Sequence, residues 1–358
     1  MMRWRQGISW FIIGIWSIFT MTGCAVGEQE RIDDLSAVEE DQMTEQETVE
    51  SKSEEEEPED VPLFISERGV FEGTYHCGSD NYQQSYLGVT IEEVENYQEV
   101  LEASGYTKHS GNKIADNLFE TYVNGDKVVW LLWYPSQSRF NIVYGSYTYL
   151  PDTEAVEYEE LVVPSVSQIG RNGADKDAPG LLLVIQLADG SYVIIDGGPD
   201  FGGDGNTLWE YLTENNPTEG KPRITWMFTH AHGDHVDLAM NFLAKHDEEI
   251  ELEMVCYNFP EFAGLSMKEK NVDLAEGKVS MLENMMKKKF PDTDIYIFHT
   301  GEKLMLPGCE IEFLKTHEDF WPNEIKDMNE SSSAWRVLIE GKTLLVLGDC
   351  LGRKPGSG

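Results

Sequence analysis

Thr229-His230-Ala231-His232-Gly233-Asp234-His235-Val236-Asp237 holds three of the chain's eight histidines, with an aspartate among them, inside six positions. The run before it, Ile224–Thr229 (ITWMFT), reads as an apolar strand, and Val236–His246 after it carries a helical spacing. In an extended turn His230 and His232 point the same way, because strand side chains alternate. Gly233 allows a reversal that turns Asp234 and His235, at the mouth of the helix, toward the same space. Imidazoles suit zinc and similar divalent ions, and a carboxylate beside them suits a second ion a few ångströms away. A polar capping loop with surface histidines is the competing reading, and the density of ligand types weighs against it.

Strands and helices alternate on both sides of this passage. Leu181–Leu187, Ser191–Asp196 and Glu251–Tyr257 read as apolar strands, with helices expected over about 205–214 and 272–289. Asp294–His299, Glu310–Leu314, Ala334–Glu340 and Thr343–Leu347 add four more strands. The expectation for residues 160–358 is a mixed α/β (α+β) class, two sheets sandwiched between helices. Residues 63–158 read as a separate small α+β domain of unreadable role. Ile91–Ala103 spaces its apolar residues as a helix, and Leu118–Val123, Val128–Tyr134 and Phe140–Tyr144 read as hairpin-linked strands. His76 and His109 stand alone there and read as solvated side chains.

His-x-His-x-Asp-His after an apolar strand resembles the metallo-β-lactamase superfamily. Ile194-Ile195-Asp196-Gly197-Gly198 resembles that family's upstream Asp-Gly motif, and Leu345-Val346-Leu347-Gly348-Asp349 its later strand ending in Gly-Asp. The resemblance covers about residues 160–358. It implies an αβ/βα sandwich, hydrolytic chemistry and two divalent ions, with zinc the default and manganese or iron compatible with the carboxylates. It assigns His230 and His232 to one ion, with His317 as a further ligand or a plain loop histidine. It assigns Asp234 and His235 to the other ion and Asp349 to the position between them. Asp196 then supports the metal loop from behind, and Asp234 orients the attacking water or takes its proton. His299 and His246 read as structural.

Asn329-Glu330-Ser331-Ser332-Ser333-Ala334-Trp335 resembles the branch that contains the extracellular hydrolase domain of the competence DNA-uptake channel and related phosphodiesterases. A phosphodiester is therefore the expected substrate, with a β-lactam or other carbonyl substrate, or an inert surface-binding lipoprotein, as alternatives. Family members continue past the bridging aspartate to a final histidine, whereas nine residues follow Asp349 here. The expectation for the 358-residue chain is an incomplete second site, one tightly held ion and little activity, unless Cys350 substitutes.

Charge bounds the partners. The chain carries 65 Asp+Glu against 27 Lys+Arg, a net −38. Residues 28–60 hold −14 of this and residues 61–358 hold −26. Such a body lacks the cationic stripe that broad nucleic-acid binding requires. Residues 25–62 have too little apolar content to fold and read as an acidic tether.

Before the tether, Arg3 and Arg5 precede a 14-residue apolar run, Ile8–Met21, which suits a signal peptide better than a membrane span. Met21-Thr22-Gly23-Cys24 resembles the bacterial lipobox, although Leu is preferred where Met21 stands. Residues 1–24 are thus expected to be a lipoprotein signal peptide, with Cys24 lipidated and the body held on the extracytoplasmic face of the cell membrane. The spacings of Cys77, Cys256, Cys309 and Cys350 match no zinc pattern and no disulfide framework. Changing Cys24→Ala should move the protein from the membrane fraction to the soluble fraction. Unchanged retention rejects the anchor.

Overall fold

The computed structural model describes residues 61–169, 181–199, 204–262, 272–321, 323, 325 and 328–350. The expected signal peptide with Cys24, and the expected tether as far as residue 60, lie outside the described residues. From Pro62 onward the chain belongs to one compact unit. Among the described residues no helix is long and apolar enough to cross a membrane.

The first sheet is built from β1 (Val70–Gly78), β2 (Asn81–Leu87), β3 (Thr107–Ile114), β4 (Asn117–Asn124), β5 (Lys127–Tyr134) and β6 (Arg139–Ser146), with α1 (Ile91–Ala103) between β2 and β3. Its strands run antiparallel in the order β1-β2-β6-β5-β4-β3. Thr90 and Glu93 form a capping box that starts α1, satisfying backbone N–H groups that otherwise lack partners. The helix buries Val94, Tyr97 and Leu101, and Tyr97 meets Phe140 of β6 and Phe64 edge-on. On β2 and β6 the sheet also buries the polar side chains Asn81, Gln83, Ser85 and Asn141.

The second sheet contains β7 (Ser165–Gln168), β8 (Leu183–Gln186), β9 (Tyr192–Ile195), β10 (Arg223–Met227), β11 (Glu251–Tyr257) and β12 (Asp294–Ile297). Strands β9 to β12 are parallel neighbours, and β7 and β8 extend the sheet antiparallel. Helices α2 (Asp204–Glu214), α3 (Gly233–His246) and α4 (Val272–Lys289) connect the parallel strands. Their Leu208, Leu212, Phe242, Leu243, Leu282 and Met286 pack with Tyr192, Ile194, Ile224 and Trp226 on one face of the sheet.

The other face, through Val193, Ile195, Met227, Cys256 and Tyr296, packs on a third sheet. That sheet is the antiparallel run β13 (Lys303–Leu306), β14 (Cys309–Lys315), β15 (Ala334–Ile339) and β16 (Lys342–Val346). Its outer face turns Arg336 and Leu338 to solvent. Strands covered on both faces must be apolar throughout, which is why β8 to β10 read as continuous hydrophobic runs.

Because β9 to β12 are parallel, their carboxyl ends share one edge, where ligands of open α/β sheets bind. Asp196, the Thr229–His235 passage, Asn258 and His299 all follow these ends. The third sheet delivers His317, Ser333 and Asp349 to the same edge, since the end of β14, the start of β15 and the end of β16 are neighbours.

The first sheet packs against the loops around β12 and β14. Buried Glu302 accepts hydrogen bonds from Trp130 Nε1 (2.9 Å), Tyr296 Oη (3.0 Å) and the His299 backbone N–H (2.8 Å). Asn112 donates to the Gly301 carbonyl at 3.0 Å and to Glu312 at 2.8 Å, and Tyr134 bonds Asp319. Gly301 has φ +92°, and a Cβ there would overlap the side chain of Phe119. Gly301→Ala should therefore destabilise the unit by about 1–3 kcal/mol through overpacking and backbone strain. Urea titration would reveal this, and an unchanged midpoint would mean that the first sheet does not press on this loop.

Candidate metal centre

Asp196 follows the end of β9 in the left-handed region, φ +57°, with its side chain fully buried. Its backbone is pinned on both sides: the N–H donates to Met227 O at 2.8 Å, and the carbonyl accepts from Trp226 Nε1 at 3.0 Å. The carboxylate then receives three donors. Oδ1 accepts the Thr229 backbone N–H at 2.8 Å, while Oδ2 takes the Thr229 hydroxyl at 2.8 Å and His235 Nδ1 at 2.8 Å. The glycine that follows is equally constrained, because a Cβ on Gly197 would meet the Ala239 backbone nitrogen of α3 at 2.7 Å. Asp-Gly at this strand end is thus what lets α3 approach close enough for His235 to reach the carboxylate.

The histidines converge in front of this support. His230 Nε2 lies 3.0 Å from His232 Nδ1, and the His230 and His235 ring centroids are 4.1 Å apart. His235 Nε2 stands 3.6 Å from Asp349 Oδ1 and 3.9 Å from Asp234 Oδ2. Ligand atoms of His230, His235 and Asp349 lie within 4.8 Å of one another. The Asp234 and Asp349 side chains keep 27% and 41% of their exposure, so the cluster is backed by protein and open on its carboxylate side. Gly348 places Asp349, since its φ is +51° and a Cβ there would crowd Thr229 at 2.9 Å.

Electrostatics follow from burial and these neighbours. Burial, then the imidazoles of His235 and His232, push His230 well below the ordinary histidine value. Burial also opposes charge on His235, but the carboxylates of Asp196 and Asp349 outweigh it and raise His235 to about 10. The hydrogen bond from His235 lowers Asp349, against partial burial.

His317 is not brought to this cluster. Its Nε2 meets Asn258 Oδ1 at 2.8 Å, and the Asn258 amide nitrogen donates to Phe298 O at 2.8 Å and Glu318 Oε1 at 3.1 Å. That orientation of Asn258 makes His317 Nε2 the donor. Its Nδ1 is buried with no hydrogen-bond partner. Glu318 also binds His299 Nδ1 at 2.8 Å, and Gln83 of the first sheet donates to the Glu318 carbonyl.

Cys350 directs its thiol to Ser332 O at 3.3 Å and stands 3.8 Å from Lys315 Nζ. His246 pairs with Glu249 and stacks on Trp209, and His76 pairs with Glu261 and stacks on Tyr82. Two supporting residues, Thr229 and Asn258, carry no motif signal of their own, although Thr229 lies inside the decisive passage.

No protein-family model and no curated protein sequence matches the chain. Solved structures similar to it include the metallo-β-lactamase fold protein YhfI from Bacillus subtilis. It is 16% identical at a TM-score of 0.32, over 51% of this chain and 62% of that one. A metallo-β-lactamase from Cronobacter sakazakii, a HARLDQ motif mutant, is 16% identical at TM-score 0.30, over 51% and 63% of the two chains. CmlA, a diiron β-hydroxylase from Streptomyces venezuelae, is 15% identical at TM-score 0.30, over 57% and 32%. Each match spans less than two thirds of the other protein. TM-scores near 0.3 are too low to set fold or chemistry, which rest on the residues above.

The Asn258–His317–Glu318–His299 network makes stability acid-sensitive. Burial depresses His317 to about 4 in the folded chain, below its ordinary 6.5, so the unfolded chain binds the extra proton between those values. Stability should be fully present above pH 6.5 and fall as pH drops toward 4. Glu318, opposed by burial but held at about 2 by His299, adds a further loss below its ordinary 4.5. His299, raised by Glu318 against burial, contributes in the opposite sense as pH rises above 6.5. His317→Gln keeps a donor toward Asn258 and should flatten the urea midpoint between pH 6.5 and 4. A wild-type slope in that variant refutes the assignment.

Proposed function

We propose that the chain is a metal-dependent hydrolase acting on a phosphodiester, carried on the outer face of the cell membrane by lipidated Cys24. The observation that carries the hydrolase reading is the meeting of His230, His232, His235 and Asp349 at one sheet edge, backed by buried Asp196.

The donor set fits divalent ions. Two imidazole nitrogens 3.0 Å apart are spaced as ligands of one ion would be, and a third stands between two carboxylates at 3.6 and 3.9 Å. His230 and His232 would hold one ion and Asp234 and His235 the other, with Asp349 between them. Bound there, the ions supply Lewis acidity, which lowers the pKa of a water molecule and polarises the ester being cleaved.

The remaining work falls to the chain. Asp234, in the first turn of α3 and part-exposed, orients the water and accepts its proton. Asp196, through its three hydrogen bonds, keeps His235 aimed forward so that no reorientation is needed when substrate arrives. The exposed carboxylate side admits substrate, and the acidic body confines an anionic substrate to the one place where bound cations reverse the field. The choice of a phosphodiester rests on the Asn329–Trp335 resemblance.

Protein from metal-replete medium should contain about one tightly bound transition-metal ion per chain and show slow, metal-dependent turnover of bis(p-nitrophenyl) phosphate. Asp349→Ala should lose at least about 100-fold of that rate, more than the 10–100-fold of an outer supporting residue. Preferential turnover of a chromogenic β-lactam would replace the phosphodiester with a carbonyl substrate. Absence of both metal and turnover would leave an inert surface lipoprotein.

A further inference from the structure

We infer that the Thr229 hydroxyl fixes the tautomer of His230, and so makes Thr229 a positioning residue for the metal centre. The inference rests on reading the cluster as a metal site, but on no particular substrate or reaction.

A hydroxyl has one proton to give. Thr229 Oγ1 lies 2.8 Å from Asp196 Oδ2, a carboxylate oxygen that also accepts from His235 Nδ1, so the hydroxyl proton goes there. The same oxygen stands 3.1 Å from His230 Nδ1. With its proton committed, Oγ1 can act toward His230 only as an acceptor, which requires hydrogen on Nδ1. The lone pair of neutral His230 then sits on Nε2, the nitrogen that faces His232. His235 is oriented by the same carboxylate directly, because its Nδ1 donates to Asp196 Oδ2. One buried carboxylate therefore sets two imidazoles, one by contact and one through a single hydroxyl.

Thr229 cannot easily turn away from this task. Its N–H is held by Asp196 Oδ1, its carbonyl accepts from the Ser333 N–H at 2.9 Å and the Ser333 hydroxyl at 3.1 Å, and Gly348 packs on its side chain. A valine has nearly the same shape but offers Nδ1 no acceptor and leaves Asp196 one donor short. Serine keeps both hydrogen bonds. Asn329, also within hydrogen-bonding reach of His230, is the rival for control of the ring.

Long-range proton–nitrogen NMR on full-length, metal-free protein with nitrogen-15 histidine reads the tautomer, and chelator competition with zinc reads the consequence. Wild type should show His230 protonated at Nδ1. Thr229→Val should lose that preference and bind zinc about 10–100-fold more weakly, while Thr229→Ser stays within about threefold of wild type. Asn329→Ala should keep the proton on Nδ1. A wild-type His230 protonated at Nε2 overturns the inference without need of any variant, which covers the case in which Thr229→Val does not fold. Retention of the Nδ1 proton in Thr229→Val, or its loss in Asn329→Ala alone, overturns it as well. A wild-type chain with the Nδ1 proton but no zinc binding would uphold the tautomer control and defeat the metal reading instead.

Discussion

The carboxylate of Asp196 is the point on which the candidate site depends. It is fully buried and answered by three donors, all from the passage that carries the histidines. A carboxylate in such a place is tolerable only when its oxygens are satisfied. The requirement works in both directions. The carboxylate needs Thr229 and His235 to satisfy its buried oxygens, and those residues need the carboxylate to hold their orientation. Its left-handed backbone, the close contact of Gly197 with α3 and the parallel pairing of β9 with β10 are the conditions that bring these groups together.

The rest of the architecture serves that edge. Two sheets share a core of Ile195, Met227, Phe313 and Trp335, so the ends of β9, β10 and β16 stand at fixed separation. The first sheet adds a wall of contacts around Glu302, Glu318 and Asp319. These acids lie at the same strand ends as the histidine cluster but are engaged by the first sheet and by His299. Within one edge the chain therefore separates two polar centres: an open one whose buried histidines face part-exposed carboxylates, and a closed one whose acids are answered by hydrogen bonds from the first sheet and by His299.

Much of this was legible in the sequence, for physical reasons. β8, β10 and β11 are buried on both faces and announce themselves as apolar runs, and α1 shows its spacing because one side is solvated. The histidine passage was legible because three histidines and an aspartate at such short spacing stand out from the rest of the chain. β1, β2 and β3 were not seen. VFEGTYHCG, NYQQSYL and TKHSGNKI lack apolar alternation, since β1 and β3 are edge strands and β2 buries Asn81, Gln83 and Ser85. β7 and β13, four residues each, are too short to show a period. His317 could be read either as a further ligand or as a plain loop histidine. Its partner Asn258 is 59 positions away, and nothing local marks that pairing.

The claim that the histidines and Asp349 form a metal centre is tested most directly by anomalous diffraction at the zinc edge from crystals of the zinc-loaded chain. The expected result is anomalous density bonded to His230 and His232, with His235 and Asp349 bonded to the same or an adjacent peak. Density confined to another place, such as the His299–His317 network, or its absence from a fully zinc-saturated crystal, would contradict it.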